Sequence, residues 1–347
     1  MSILVVSTMR DEGPFILEWI AHYLHLGATH FLIFTNDCFD QTEEILTLLA
    51  KEGLVTHINN DAPGKQTPHW RALNMASRHT LARTHDWILV ADADEFANIH
   101  VGNGRFPDLL DHINGEFDAI AMPWRLFGNS GRLVFEDLPV TEQFTHCARP
   151  GYCGVIASLY FKTMVRAGTN YQKLGVHRPK NLRDGPFLKW VDGSGQPLPA
   201  SFAEDDKLLR LPAGISSSVP LIELNHYSLK AAESFVLKSN RGLAASSRKA
   251  VDLGYWVERN FNSVQNTTIA RYHPDTLPLR ESLMSLPGMR YAHQRAVSGH
   301  KQKITKLLKQ HDNIMLLRRI MVAGSSEGFP PEHEARFQTF FARANTP

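Results

Sequence analysis

Three acidic side chains stand within four positions in the stretch WILVADADEF, Trp87 to Phe96. A short, branched, apolar run such as WILVA reads as a buried strand. Asp92, Asp94 and Glu95 then gather negative charge where that strand ends. Like charges this close repel unless a cation or basic side chains offset them, so a positive partner is expected. Two carboxylates in an Asp-x-Asp arrangement suit a hard divalent ion. Mg2+ and Mn2+ take oxygen ligands, and Mg2+ commonly uses one or two carboxylates plus substrate phosphates.

The surrounding pattern says where this run sits. ILVVS (3–7) reads as a strand, and Glu12 to Leu26 carries a helical stripe of Phe15, Ile16, Trp19, Ile20 and Tyr23. HFLIFT (30–35) is a second strand. Asp40 then caps a helix bearing Ile45, Leu48 and Leu49, with Glu43 at the capping-box position and Gly53 as its stop. LVTHI (54–58) is a third strand, Pro68 to Thr84 a third helix, and WILVA the fourth strand. Strands alternating with helices imply a parallel sheet with right-handed crossovers.

Each strand is followed by a polar cluster: Thr8 to Glu12, Asn36 to Asp40, Asn59 to Asp61 with Lys65, and the acidic triplet. In open parallel sheets the carboxyl ends of the strands form one edge, and ligands bind in the crevice outside it. Further along, VIASLYFK (155–162) is β-like, and PLIEL (220–224) reads as a strand followed by Asn225, His226 and Tyr227. Helical pattern returns over Lys230 to Leu243 and Lys249 to Phe261, and the tail carries basic helices such as HKQKITKLLKQH (300–311).

Composition excludes little but narrows the setting. Lys plus Arg (37) nearly balance Asp plus Glu (35) over 347 residues, so a net charge of +2 gives no argument for a nucleic-acid partner. Cys38, Cys147 and Cys153 are odd in number and lack a CxxC pair, which reads as a reduced, cytoplasmic setting. Zinc on His146, Cys147 and Cys153 is disfavoured for want of a fourth ligand at a recognisable spacing. MSILVVSTMR lacks a basic n-region, and no apolar run reaches the roughly 18 residues of a spanning helix. Peripheral attachment at the inner face of a membrane stays open.

The stretches MRDEGPFILEWIAHYLHLGATHFLIFTND (9–37), DWILVADADEF (86–96), WRLFGNSG (124–131) and NHYSLKAAESFVLKSNRG (225–242) together resemble the GT-A glycosyltransferases, close to the family 2 group and its family 92-like relatives. The usual Ser and Gly of the second loop are Cys38 and Gln41 here. The resemblance implies an α/β fold of GT-A type: a mostly parallel central sheet flanked by helices, with a helical C-terminal extension. The expected division is a nucleotide-sugar-binding and catalytic domain over 1–245 and a helical region over 246–347. The implied activity is that of a hexosyltransferase-like enzyme. It would move a sugar from a UDP- or GDP-linked donor to a hydroxyl on a glycan or lipid-linked acceptor, with inversion and with Mn2+ or Mg2+. Surface glycan or lipopolysaccharide assembly is the setting that family habit suggests.

On that resemblance, Asp92 and Asp94 lie near the metal and the donor ribose, and His226 is a third metal ligand. Thr8, Arg10 and Glu12 follow the first strand, where the family places the nucleotide, and Asn36 and Asp37 meet the base or ribose. Arg71 and Asn74, at i and i+3 on the third helix, can face the same cleft. Lys238 and Arg241 are also three apart, so both can point toward one phosphate-bearing ligand. Trp124 and Phe127 offer aromatic faces to a sugar ring. An inverting transferase needs a general base. Glu142, His177 and Asp184 are candidates, with Glu142 slightly ahead.

Two rival readings carry tests. A haloacid-dehalogenase-type phosphatase also ends a strand in Asp-x-Asp, but there the pair follows the first strand and is itself followed by a hydroxyl residue; here Phe96 stands in that neighbourhood. A non-catalytic nucleotide-sugar or carbohydrate-binding protein would share the fold and release no nucleoside diphosphate.

Overall fold

The structure is a computed structural model, described for residues 1–61, 66–211, 220–242 and 250–344. The expected alternation is present: β1 (Ile3–Met9), α1 (Ile16–Leu26), β2 (His30–Thr35), α2 (Thr42–Lys51), β3 (Val55–Asn59), α3 (Pro68–Arg78), α4 (Leu81–Thr84) and β4 (Trp87–Val90). There follow β5 (Glu95–Ile99), α5 (Phe106–His112), β6 (Ala119–Leu126), α6 (Val140–Gln143), β7 (His146–Cys147), β8 (Phe161–Arg166), β9 (Tyr171–Lys173), β10 (Lys180–Leu182), β11 (Trp190–Asp192), α7 (Ala200–Glu204) and β12 (Ile222–His226). The rest is mainly helical: α8 (Ala232–Arg241), α9 (Leu253–Val257), a short β13 (Val264–Gln265), α10 (His273–Met284), α11 (Met289–Leu307), α12 (His311–Ala323) and α13 (Pro331–Ala344).

One nine-stranded sheet runs in the order β3-β2-β1-β4-β8-β6-β12-β5, with β11 beside β6. β3, β2, β1 and β4 run parallel to one another, as do β11 and β12 to β6. β8 is antiparallel to β4 and β6, and β5 is antiparallel to β12. This is the mostly parallel, helix-flanked sheet expected of the GT-A type. Strands such as β4, buried at every position, have apolar cover on both faces. One face packs on α1, where Trp19, Ile20 and Tyr23 are fully buried, and the other on α3 through Ala72, Leu73 and Ala76.

The C-terminal helices close over this core. α10 packs along α1, α11 against α2 and α8, and α12 against α8 and α9. The expected boundary near 245 lies outside the described residues, as do Lys65 and Leu243. No helix among the described residues is long and apolar enough to cross a membrane.

Local differences have local causes. The Pro68 to Thr84 helix breaks at His79, which is extended at ψ 143. Asp40 accepts from the Thr42 N–H at 2.9 Å, but Glu43 leaves the capping box and accepts from Thr35 Oγ1 at 3.0 Å and Asn59 Nδ2 at 3.1 Å. The strand expected at 220–224 is shifted to Ile222–His226, so Asn225 and His226 lie within β12 and not after it. Pairing with β5 sets that register, putting His226 opposite Glu95.

Candidate active site

The acidic turn joins β4 to β5 and is pinned from below. Trp19 Nε1 of α1 donates to the carbonyls of Asp92 (3.0 Å) and Glu95 (3.1 Å). The Tyr227 N–H, just past β12, donates to the Asp94 carbonyl at 2.8 Å. Within the turn, the Asp92 N–H donates to Glu95 Oε2 at 2.8 Å. Glu95 is therefore a buried brace, while Asp92 and Asp94 keep part of their side chains accessible at 30% and 16%.

The positive partners demanded by the triplet are two lysines. Lys162 of β8, with no exposed surface, places Nζ 2.9 Å from Asp92 Oδ2 and 3.2 Å from Glu95 Oε2. Lys238 of α8 places Nζ 3.0 Å from Asp94 Oδ2 and 2.7 Å from the Ser228 carbonyl. These cations sort the carboxyls. Burial pushes Asp94 up, but Lys238 and His226 more than offset it and hold it well below its ordinary value. Burial opposes ionisation of Asp92 too, and Lys162 and His69 more than offset that. Glu95, fully enclosed, is pushed well above its ordinary range by burial, against the pull of Lys162. Two ionised carboxylates thus face outward while the third absorbs the cost of crowding.

His226 stands beside Asp94, with Nε2 3.6 Å from Asp94 Oδ1. Burial lowers its proton affinity despite the pull of Asp94, which favours the neutral form that ligates metals. Its ring lies 4.1 Å from that of Trp124, since β6 and β12 run parallel with Leu224 opposite Trp124. The buried Nε1 of Trp124 has no hydrogen-bond partner among the described residues. Tyr160 and His177 extend this aromatic wall, each 5.4 Å from Trp124. Phe127, by contrast, is 1% exposed and packs on Tyr227. It is a core residue, and the stacking role expected of the pair rests on Trp124 alone.

Does the donor set fit a divalent ion? Two ligand bonds of about 2.1 Å span about 4 Å end to end, so one ion can touch both Asp94 Oδ1 and His226 Nε2. Asp92 gives its Oδ2 to Lys162, as Asp94 gives its Oδ2 to Lys238. Among the described residues no group of three or more His, Cys, Asp or Glu is placed to hold an ion. The residues fit a cation with two protein ligands that completes its shell with phosphate oxygens and water, which is the habit of Mg2+.

The remaining expected residues fall into three groups. Arg241 turns toward the β1–α1 loop: it pairs with Glu12 at 2.9 Å and donates to the carbonyls of Arg10 and Asp11. Lys230 reaches the same Glu12 at 3.7 Å. Lys238 and Arg241 thus do share a face of α8, and Glu12 serves to anchor Arg241 beside Arg10. At the rim, Thr8 Oγ1 lies 3.4 Å from His69 Nδ1, and the Asp37 N–H donates to Asp61 Oδ1 at 2.6 Å. Asn36 is buried and donates to Asp37 Oδ2 at 3.0 Å. Arg71 fastens the loop after β3 by donating to Asn60 Oδ1 at 2.6 Å, whereas Asn74 bonds Gln66 and leaves the rim.

The expected bases are separated. Glu142 on α6 stands 4.0 Å from His273 of α10, beside the Thr141–Glu18 contact. His177 stacks on Tyr160 at 4.8 Å and lies 2.9 Å, through Nδ1, from the Phe161 carbonyl. Burial, aided by Lys162, depresses its proton affinity to about 3. Asp184 is exposed, outside this wall. Residues that sequence reasoning missed are Lys162, Tyr160 and His69. The available signal for Lys162 was a lysine inside the apolar, strand-like VIASLYFK.

Comparison with known proteins bears on the family. A model of glycosyltransferase family 92 matches residues 3–187. A family 92 protein of Oryza sativa subsp. japonica is 23% identical over 206 residues, covering 57% of this chain and 32% of the rice protein. The chain therefore spans about a third of that relative's length. Among solved structures, Staphylococcus aureus TarS 1–349 with UDP is similar over 48% of this chain and 47% of that one, at 15% identity and a TM-score of 0.29. The glucosyl-3-phosphoglycerate synthase of Mycobacterium tuberculosis, with Mn2+, UDP and glucosyl-3-phosphoglycerate, is similar over 36% and 44%, at 18% identity and a TM-score of 0.25. These structural overlaps are partial, and the assignment rests on the sequence match over more than half the chain: it belongs to glycosyltransferase family 92.

Proposed function

We propose that this chain transfers a sugar from a nucleotide-sugar donor to a hydroxyl acceptor, with a divalent cation held by Asp94 and His226. The observation that carries the reading is the approach of His226 Nε2 to 3.6 Å from Asp94 Oδ1, with Lys238 3.0 Å from the other oxygen. When bound, Mn2+ or Mg2+ supplies Lewis-acid stabilisation of the charge that develops on the leaving nucleoside diphosphate.

The chain's own residues do the rest. Lys238 presents positive charge from α8 to the diphosphate, and Arg241, paired with Glu12, holds the loop that carries Arg10. The rim of Thr8, Asn36, Asp37 and Arg71 receives the nucleoside. Asp92, steadied by Lys162, accepts a ribose or sugar hydroxyl. Trp124 offers an apolar face to the sugar. Of the three bases weighed, His177 is the one that stands in this wall, and with Nδ1–H donated to the Phe161 carbonyl its Nε2 can accept a hydrogen bond from the acceptor hydroxyl and orient it.

A second reading has one observation in its favour. Lys162 and Lys238 already neutralise the acidic turn, as they would in a binding protein without turnover. Release of nucleoside diphosphate from a panel of UDP- and GDP-linked sugars, with EDTA or with Mn2+, separates the two. Metal-dependent release supports the transferase, and binding without release at any metal concentration supports the other.

A further inference from the structure

Helix α3 links the rim to a second region of the surface. His69, in its first turn, lies 3.4 Å from Thr8, and Arg78 closes its last turn. At 1.5 Å per residue that stretch spans about 14 Å. Along it, Trp70, 38% exposed, and Asn74 line a groove of about 490 Å3. Asn74 and Lys173 also line the adjoining cavity of about 500 Å3, so the two spaces meet. Both volumes fall in the range of about 300–1,000 Å3 typical of small-ligand clefts.

The adjoining cavity is unbalanced in charge. Arg78, Arg83, Arg166, Lys173 and Arg183 line it, with no carboxylate among the lining residues. Asp206, which lines the Trp70 groove, is paired there with Lys180 at 3.8 Å, and Glu116 is paired with Lys189 at 2.9 Å. None of the five cations joins an ion pair among the described residues. Arg166 is fixed in place over the Trp87 ring at 4.7 Å, donating to the Phe117 carbonyl at 3.2 Å. Like charges gathered on a concave surface focus a positive potential. Arginine forks match the oxygens of phosphate and carboxylate. The exposed indole on the way there offers a flat apolar face of the kind that covers a sugar ring.

We propose that this groove binds an anionic saccharide, its ring against Trp70 and its phosphate or carboxylate substituent among the arginines. Calling that saccharide the acceptor rests on the transferase reading; the site itself does not.

The test titrates tripolyphosphate into the 347-residue chain in the presence of saturating UDP, which fills the donor site. The wild type is compared with Arg83→Glu/Arg183→Glu and with Arg83→Lys/Arg183→Lys. Both arginines are exposed, so the melting temperature should hold. Charge reversal is expected to weaken tripolyphosphate binding at least about tenfold, or about 1.4 kcal/mol, with UDP affinity unchanged and the lysine variant close to wild type. In a second arm, glucose 6-phosphate binds more tightly than glucose, and Trp70→Ala weakens the sugar phosphate while sparing tripolyphosphate. Equal tripolyphosphate binding by all three proteins, or equal affinity for glucose and glucose 6-phosphate, overturns the proposal. Neither arm needs turnover. A chain that binds these anions but releases no nucleoside diphosphate contradicts only the activity, and the reverse result contradicts only this site.

Discussion

Lys162 Nζ, fully buried at the second position of strand β8, stands 2.9 Å from Asp92 Oδ2 and so supplies from inside the protein a charge that the acidic turn requires. Removing one partner of a buried pair leaves the other charge uncompensated, at about 3–5 kcal/mol. Lys162→Met, which keeps the length of the chain and loses the charge, should destabilise the fold by that amount in chemical denaturation. A loss under about 1 kcal/mol, the range of exposed pairs, would show that the contact is incidental.

Asp94 responds to pH in a definite direction. Its folded pKa lies well below the ordinary 3.8. A carboxyl of that kind contributes stability above its unfolded value and loses it as pH falls through the folded one. Repulsion among three carboxylates, read from sequence, gives Asp94→Asn a higher melting temperature; Lys238 at 3.0 Å reverses the sign. Asp94→Asn should melt below wild type from about pH 5 to 8, with the gap closing below about pH 4. Melting curves across that range check it.

Lys238 and Arg241 separate by function although they share a face. Lys238→Ala should weaken UDP binding about tenfold more than uridine binding, since a charge-assisted bond to phosphate contributes about 1.5–3 kcal/mol. Arg241→Ala should weaken both ligands alike, because Arg241 holds the Arg10–Glu12 loop through Glu12 and two carbonyls. Calorimetry with the two ligands distinguishes the roles. A phosphate-selective loss in both variants would contradict the division.

The bases divide in the same way. His177→Ala should lower kcat about tenfold through the lost hydrogen bond to the acceptor, with donor KM little changed. Glu142→Gln, beside His273 on α6, should leave kcat within about twofold. The opposite pattern in steady-state kinetics would return the base to Glu142.

Much of this was legible in the chain itself. Periodicity marks β1 through β4 with their helices, because each is a local apolar pattern, and WILVADADEF marks the turn that ends β4. Trp124, Lys238 and Arg241 follow from type and spacing. What stayed hidden depends on pairing between distant segments. β5 begins immediately after the acidic turn because β12, more than a hundred residues later, pairs with it and sets His226 opposite Glu95. Lys162 reaches Asp92 across a 70-residue separation, through the antiparallel insertion of β8 beside β4. The surroundings of Glu142 follow the same logic, since the approach of distant α10 to α6 sets His273 beside it.

The most direct measurement is nucleoside diphosphate release from UDP- and GDP-linked sugars by wild type and His226→Ala, first in EDTA and then with Mn2+ restored. If Asp94 and His226 hold the cation, wild type is silent in EDTA and recovers with Mn2+, while His226→Ala stays folded and recovers only at much higher metal concentration or not at all. Full release by wild type in EDTA, or identical metal titrations for the two proteins, would contradict the account.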